Sequence, residues 1–145
     1  MKAYRITQGR FARSPEQMMD GQGAYDHGGR WNSPGVRAVY LAETLSLAAL
    51  ELLVHIPRAR VLSRYRMLEV EVDEQRLLSV ADVSAGHEQA TGDRILSGGA
   101  LGFIVNSVVN PRERNIVLNP DHPEFTELVS WGEVQDFPID PRLRE

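Results

Sequence analysis

The sequence predicts an α+β fold, a mostly antiparallel sheet core with flanking helices. Two observations carry this. Segments with two-residue alternation outnumber segments with helical periodicity. Strands and helices also fail to alternate regularly, as a doubly wound parallel sheet would require.

The elements follow in order. Residues 3–7 make a first short strand. Residues 21–35 are rich in glycine and turn residues and read as a long ordered loop. Residues 36–41 alternate, with Ala38 and Tyr40 on one side and Val39 and Leu41 on the other. Thr44 is placed to cap a helix over 45–56, which Pro57 ends. Residues 66–72 alternate again, Leu68, Val70 and Val72 opposing Glu69 and Glu71. A short helix over 88–96 stops at Gly98-Gly99. Residues 101–109 and 115–118 are apolar strands separated by the turn at Asn110-Pro111. A helical turn over 124–129 and a last strand over 133–137 complete the chain. There is no internal repeat, low-complexity tract or linker, and 145 residues is the size of one ordinary domain, so residues 1–145 are expected to form a single unit.

Composition narrows the function. Lys and Arg number 16 against 20 Asp and Glu, a net charge of -4. A chain that binds nucleic acid through its overall field is usually basic, so no direct nucleic-acid binding is expected. Cysteine is absent, which removes disulfides, thiolate metal sites and a Cys nucleophile together. The opening MKAYRITQGRFARSPEQ has no apolar stretch of signal-peptide length, and no run approaches the ~18 apolar residues of a membrane span. A soluble, cytoplasmic protein away from membranes is expected. The histidines at 27, 55, 87 and 122 lack metal-ligand spacing, so no metal is expected.

Three segments can carry chemistry. The helix ETLSLAALELLVHIP is apolar at nearly every position and is expected to be buried on most sides, yet it holds Glu51 and His55 at i and i+4. They form either a narrow solvated stripe, or a functional pair whose carboxylate must be paired or hydrogen-bonded if buried. The segment GAYDHGGRWNSPG is either an ordinary surface loop or a ligand cradle. In a cradle, glycines admit a ligand close to backbone N–H groups, Arg30 suits phosphate, and Tyr25 and Trp31 offer flat faces. Its glycine spacing is not that of a dinucleotide fingerprint. In FIVNSVVNPRERNIVLNP, Asn106 and Ser107 interrupt an apolar strand, as either an edge-strand polar pair or site residues; Ser107 lacks a nucleophile-elbow context.

In order and spacing, these segments resemble the RES domain, a family named for its Arg, Glu and Ser. The resemblance runs from YRI (residues 4–6) through GGRWNSPG, VYLAET, LAALELLVH, TGDRILSGG and VNSVVNPRERNIVLNP to DPRL (residues 140–143). One departure is Asn106, where the family often has Pro before the serine; it loosens the case for the local backbone at Ser107. The three eponymous residues fall on Arg30, Glu51 and Ser107, and Tyr40 and Arg5 match a tyrosine and an N-terminal arginine of the family's pocket. The resemblance implies an ADP-ribosyltransferase-like fold with NAD+ as substrate and no prosthetic group. It implies the toxin half of a type II toxin–antitoxin pair, with an Xre-like antitoxin covering the active site. ADP-ribose would pass to a protein target, to water or to phosphate.

The residue types agree with that chemistry. Nicotinamide leaves as a neutral base and needs no proton, so one carboxylate can serve where glycosidases use two. Glu51 would stabilise the ribosyl cation, Arg5 and Arg30 would hold the pyrophosphate, Tyr40 would stack on nicotinamide, and Ser107 would bond a phosphate or the carboxamide. Two other classes stay open: an endoribonuclease toxin using Arg30, Glu51 and His55, and a non-catalytic nucleotide-binding module.

Overall fold

A computed structural model describes residues 1–57 and 64–144. Its sheet holds β1 (Lys2–Gln8), β2 (Val39–Ala42), β3 (Tyr65–Val72), β4 (Leu78–Ser79), β5 (Gly102–Asn106), β6 (Arg114–Leu118), β7 (Val129–Trp131) and β8 (Gln135–Asp136). The order is β4-β5-β6-β2-β1-β3-β7, with β8 also on β3. Every pairing is antiparallel except β4 with β5. The expected α+β, mostly antiparallel architecture is therefore the observed one.

Among the described residues five α-helices flank the sheet: α1 (Pro15–Met18), α2 (Gln22–His27), α3 (Leu45–His55), α4 (Glu88–Ser97) and α5 (Phe125–Leu128). Among the described residues no helix is long and apolar enough to cross a membrane. Alternation along β6 shows why the central strands read as apolar runs. Ile116 and Leu118 join one core cluster with Leu41, Leu68 and Met18. Val117 faces the other side with Phe103, Val105 and the Leu96 of α4. A third cluster seats α3 through Leu47 and Ala48 on Ile6, Ala42 and Tyr65. Strands covered on both faces lose the polar half of their alternation.

Several boundaries differ from the expectation, each for a local reason. The supposed loop over 21–35 contains α2. Gly21 and Gly28 bracket this single turn and a half in positive-φ conformations (70° and 74°), so its ends look like loop in the sequence. Gln22 braces it, donating to Asp26 Oδ1 at 2.7 Å. The second strand starts at Val39, not 36, because only from there does the ladder with β6 begin. The strand expected over 101–109 ends at Asn106: the Ser107 hydroxyl accepts the N–H groups of Val109 and Asn110, each at 3.1 Å, and turns the chain. The helix expected over 45–56 is not buried on most sides, since Leu50 and Val54 face solvent. The last strand shortens to β8. The short elements α1, β4 and β7 carry too few residues for a readable period.

The feature that positions the site is a split in the sheet. β1 pairs β3 along its whole length, but it meets β2 only at Tyr4 with Ala42. Where the two strands part, the carbonyl of Tyr40 has no strand partner and instead accepts Nη1 of Arg5 at 3.1 Å.

Candidate active site

A cleft of about 530 Å3 opens at this split. Arg5, Arg30, Tyr40, Glu51 and His55 all line it. Ser107 does not; it is 2% exposed and stands behind Glu51.

Glu51 reaches the cleft from α3, whose start is set by Thr44 accepting the Leu47 N–H at 3.0 Å. One of its oxygens is clamped. Oε1 accepts the Ser107 hydroxyl at 2.7 Å and the Asn115 side-chain amide at 2.8 Å. The Ser107 lone pairs are taken by two backbone N–H groups, so its proton is left to point at the carboxylate. No hydrogen bond engages Oε2 among the described residues, and this is the oxygen the clamp leaves for a ligand. Asn115 escaped the sequence reading. Its only signal is a polar residue entering an otherwise apolar strand beside Ile116.

Tyr40 holds the glycine-rich loop with its hydroxyl, which donates to Asn32 Oδ1 at 2.6 Å and accepts the Trp31 N–H at 3.0 Å. Asn32 is fully buried, and its amide donates to the carbonyls of Ala24, Ser33 and Val36. Burial pushes the Tyr40 pKa up to about 12, against the lowering effect of the Trp31 N–H. Its hydroxyl therefore serves as a neutral donor and leaves only the ring for the cleft. Trp31 is largely buried, edge-on to Phe103 at 5.6 Å, and Tyr25 lies outside the cleft lining under Arg37.

Tyr40→Phe is expected to cost about 2 kcal/mol of stability, because it strands the Trp31 N–H and the Asn32 oxygen. The pH dependence has a definite sign. A raised folded pKa stabilises fully below the ordinary value near 10 and is lost as pH rises toward about 12. Arg5, lowered to about 10 by burial, changes oppositely in that range. The check is therefore the stability gap between wild type and Tyr40→Phe by urea unfolding, which should narrow above pH 10.

The two arginines differ in setting. Arg5 is desolvated, its Nε is buried without a hydrogen bond, and Asp20 is the acidic neighbour that offsets its burial. With Nη1 on the Tyr40 carbonyl and Nε unsatisfied, this guanidinium is only partly compensated and favours an anion in the cleft. Arg30 is 52% exposed at the rim and pairs with Glu88 at 3.7 Å. His55 turns Nδ1 onto the Glu51 backbone carbonyl at 2.7 Å, so its ring is not paired with the Glu51 carboxylate. The cleft thus combines an oriented carboxylate with two cations and an aromatic wall. It suits an anionic ligand that develops positive charge at one atom.

A family model described as the RES domain matches residues 2–140. A relative called Toxin Res from Yersinia enterocolitica is 34% identical, covering 99% of this chain and all of its own length. A Prs ADP-ribosylating toxin from Sphingobium is 32% identical over 86% of each chain. In structure, the chain resembles one from the crystal structure of the M. tuberculosis MbcT–MbcA toxin–antitoxin complex, with a TM-score of 0.68. That likeness covers 99% of this chain and 86% of the other at 20% identity, and is a likeness of fold.

Proposed function

The chain belongs to the RES-domain family, and from that premise we propose that it is the toxin of a toxin–antitoxin pair, an enzyme that breaks the nicotinamide–ribose bond of NAD+. The observation that supports this most is the clamped Glu51 beside two cations in one cleft. The name of the Sphingobium relative supports ADP-ribose chemistry.

In the proposed reaction Arg5 and Arg30 bind the pyrophosphate, and the Tyr40 ring flanks the nicotinamide. The bond between the ribose C1′ and the nicotinamide nitrogen breaks, and its electron pair leaves with neutral nicotinamide. Oε2 of Glu51 faces the cationic C1′ and holds a ribose hydroxyl. Ser107 and Asn115 hold the other oxygen, Oε1, and so keep the carboxylate fixed, and no reorganisation is needed as charge develops. An oxygen nucleophile from water, phosphate or a protein side chain then forms the new C1′–O bond and loses its proton to solvent.

An Xre-like antitoxin is the proposed partner, covering the cleft in the cytoplasm. Val54 and Val108 line the cleft mouth while 60% and 64% exposed, an apolar lip that such a partner would bury.

The test is nicotinamide release from NAD+ by antitoxin-free protein, followed by chromatography with buffer alone, with phosphate and with cell lysate. Release that phosphate or lysate accelerates names the acceptor; no release from folded protein overturns the proposal. Arg5→Met gives a second check. It should weaken NAD+ binding at least about tenfold by removing a pyrophosphate ligand. It should also change Tm by no more than about 3 °C, because the relief of removing a desolvated cation is offset by loss of its hydrogen bond to the Tyr40 carbonyl. Calorimetric titration and thermal unfolding read the two effects.

A further inference from the structure

The first half of α4 turns one face to the loop that carries Arg30. Gln89 donates to the carbonyls of Gly29 and Asn32 at 3.2 and 2.9 Å. Asp93 accepts the Ser33 N–H at 2.8 Å and its hydroxyl at 2.5 Å. Gly92 lets the helix close onto the Trp31 backbone. Glu88, four residues before Gly92, completes the face and pairs with Arg30 Nη2 at 3.7 Å. Gln89, Gly92 and Asp93 hold the loop, while Glu88 acts on the Arg30 side chain itself.

We propose that Glu88 is the positioning residue of Arg30, setting its guanidinium toward the cleft before substrate arrives. Glu88 is suited to this because it is fixed: it is 20% exposed, and its other oxygen accepts the Gly86 N–H at 3.0 Å. Arg30 is half-exposed and has no other charged partner among the described residues. At 3.7 Å the contact is an ion pair without a hydrogen bond, so it steers the guanidinium and leaves its N–H groups for an anion. Repulsion between Glu88 and the incoming diphosphate is screened at this exposed rim, with Arg30 interposed. Ordering a long side chain beforehand removes part of the entropy cost of binding. The proposal rests on the NAD+ reading only for its choice of anion.

Glu88→Gln tests it, because the amide oxygen can still accept the Gly86 N–H while the ion pair is lost. Nicotinamide release is measured over a range of NAD+ concentrations for wild type, Glu88→Gln, Arg30→Ala and the double variant. KM should rise about threefold to fivefold in Glu88→Gln, the scale of a half-exposed ion pair, with kcat within about twofold. The double variant should match Arg30→Ala alone. An unchanged KM, or a Glu88→Gln effect that persists undiminished without Arg30, overturns the proposal. The Arg30 Nε–H signal in NMR decides the matter without substrate. Its order parameter should fall in Glu88→Gln, and an unchanged value would sink the positioning role. If wild type releases no nicotinamide, the NAD+ reading fails alone, and this NMR comparison still decides the role of Glu88.

Discussion

Glu51→Gln is expected to lower nicotinamide release on the order of a thousandfold while leaving the Kd for NAD+ within about threefold, the signature of an interaction made only in the transition state. The substitution is close to isosteric, and its Oε1 can still accept from Ser107 and Asn115. What it removes is negative charge at the oxygen the clamp leaves open. Neutral Gln keeps a polar contact for a ribose hydroxyl, so binding survives, but it gives no attraction to a developing ribosyl cation. Single-turnover release and calorimetric binding separate the two. Near-normal turnover would remove Glu51 from the reaction. Asn115→Ala should fall between, with kcat down about tenfold and KM less affected, because it frees the carboxylate without removing it.

The largest structural effect is expected from Gly92→Ala. A Cβ there would lie 1.7 Å from the Trp31 carbonyl oxygen and 3.0 Å from the Trp31 Cβ. The nearest obstacle is backbone and cannot rotate away. Either α4 moves off the sheet or the 28–33 loop moves with Arg30, losing the Gln89 and Asp93 contacts. We expect a cost of about 3 kcal/mol, the upper end of overpacking, and a fall in Tm of about 9 °C. Nicotinamide release should fall even in the molecules that remain folded, because Arg30 is displaced. Gly132→Ala is the control: nothing lies within 4 Å of its added methyl group, and a change within about 0.5 kcal/mol is expected. Equal melting temperatures for the two variants would show that α4 is not seated as described.

The parts of the fold legible in the sequence are those whose signal is local. The alternation of Leu68, Val70 and Val72 marks β3, and Thr44 and Pro57 bracket α3. The glycine pair after α4 stops it as expected, with Gly98 as the cap and Gly99 at φ 88°. The helix inside the glycine-rich segment was hidden, because the residues that shape its ends are those that usually signal loop. Within the cleft, Arg30 and Glu51 stand out as residue types, a phosphate-binding cation and a carboxylate in an apolar helix, whereas Arg5 and Tyr40 are indicated only by the family resemblance. Asn32, Gln89, Asp93 and Asn115 were not legible, since a buried amide or a helical carboxylate has no distinctive spacing.

Sequence alone determined which residues bear charge and the apolar side of alternating strands such as β3, because those follow from side-chain chemistry and the strand period. Tertiary structure decided how they meet. Ser107 and Asn115 reach Glu51 from 56 and 64 residues away, and together they determine which of its oxygens is left free. The split that admits Arg5 exists because β1 follows β3 along its length and abandons β2 after one pair. Periodicity reports the apolar side of a strand, but a strand's neighbour depends on contacts that only the packed sheet brings together.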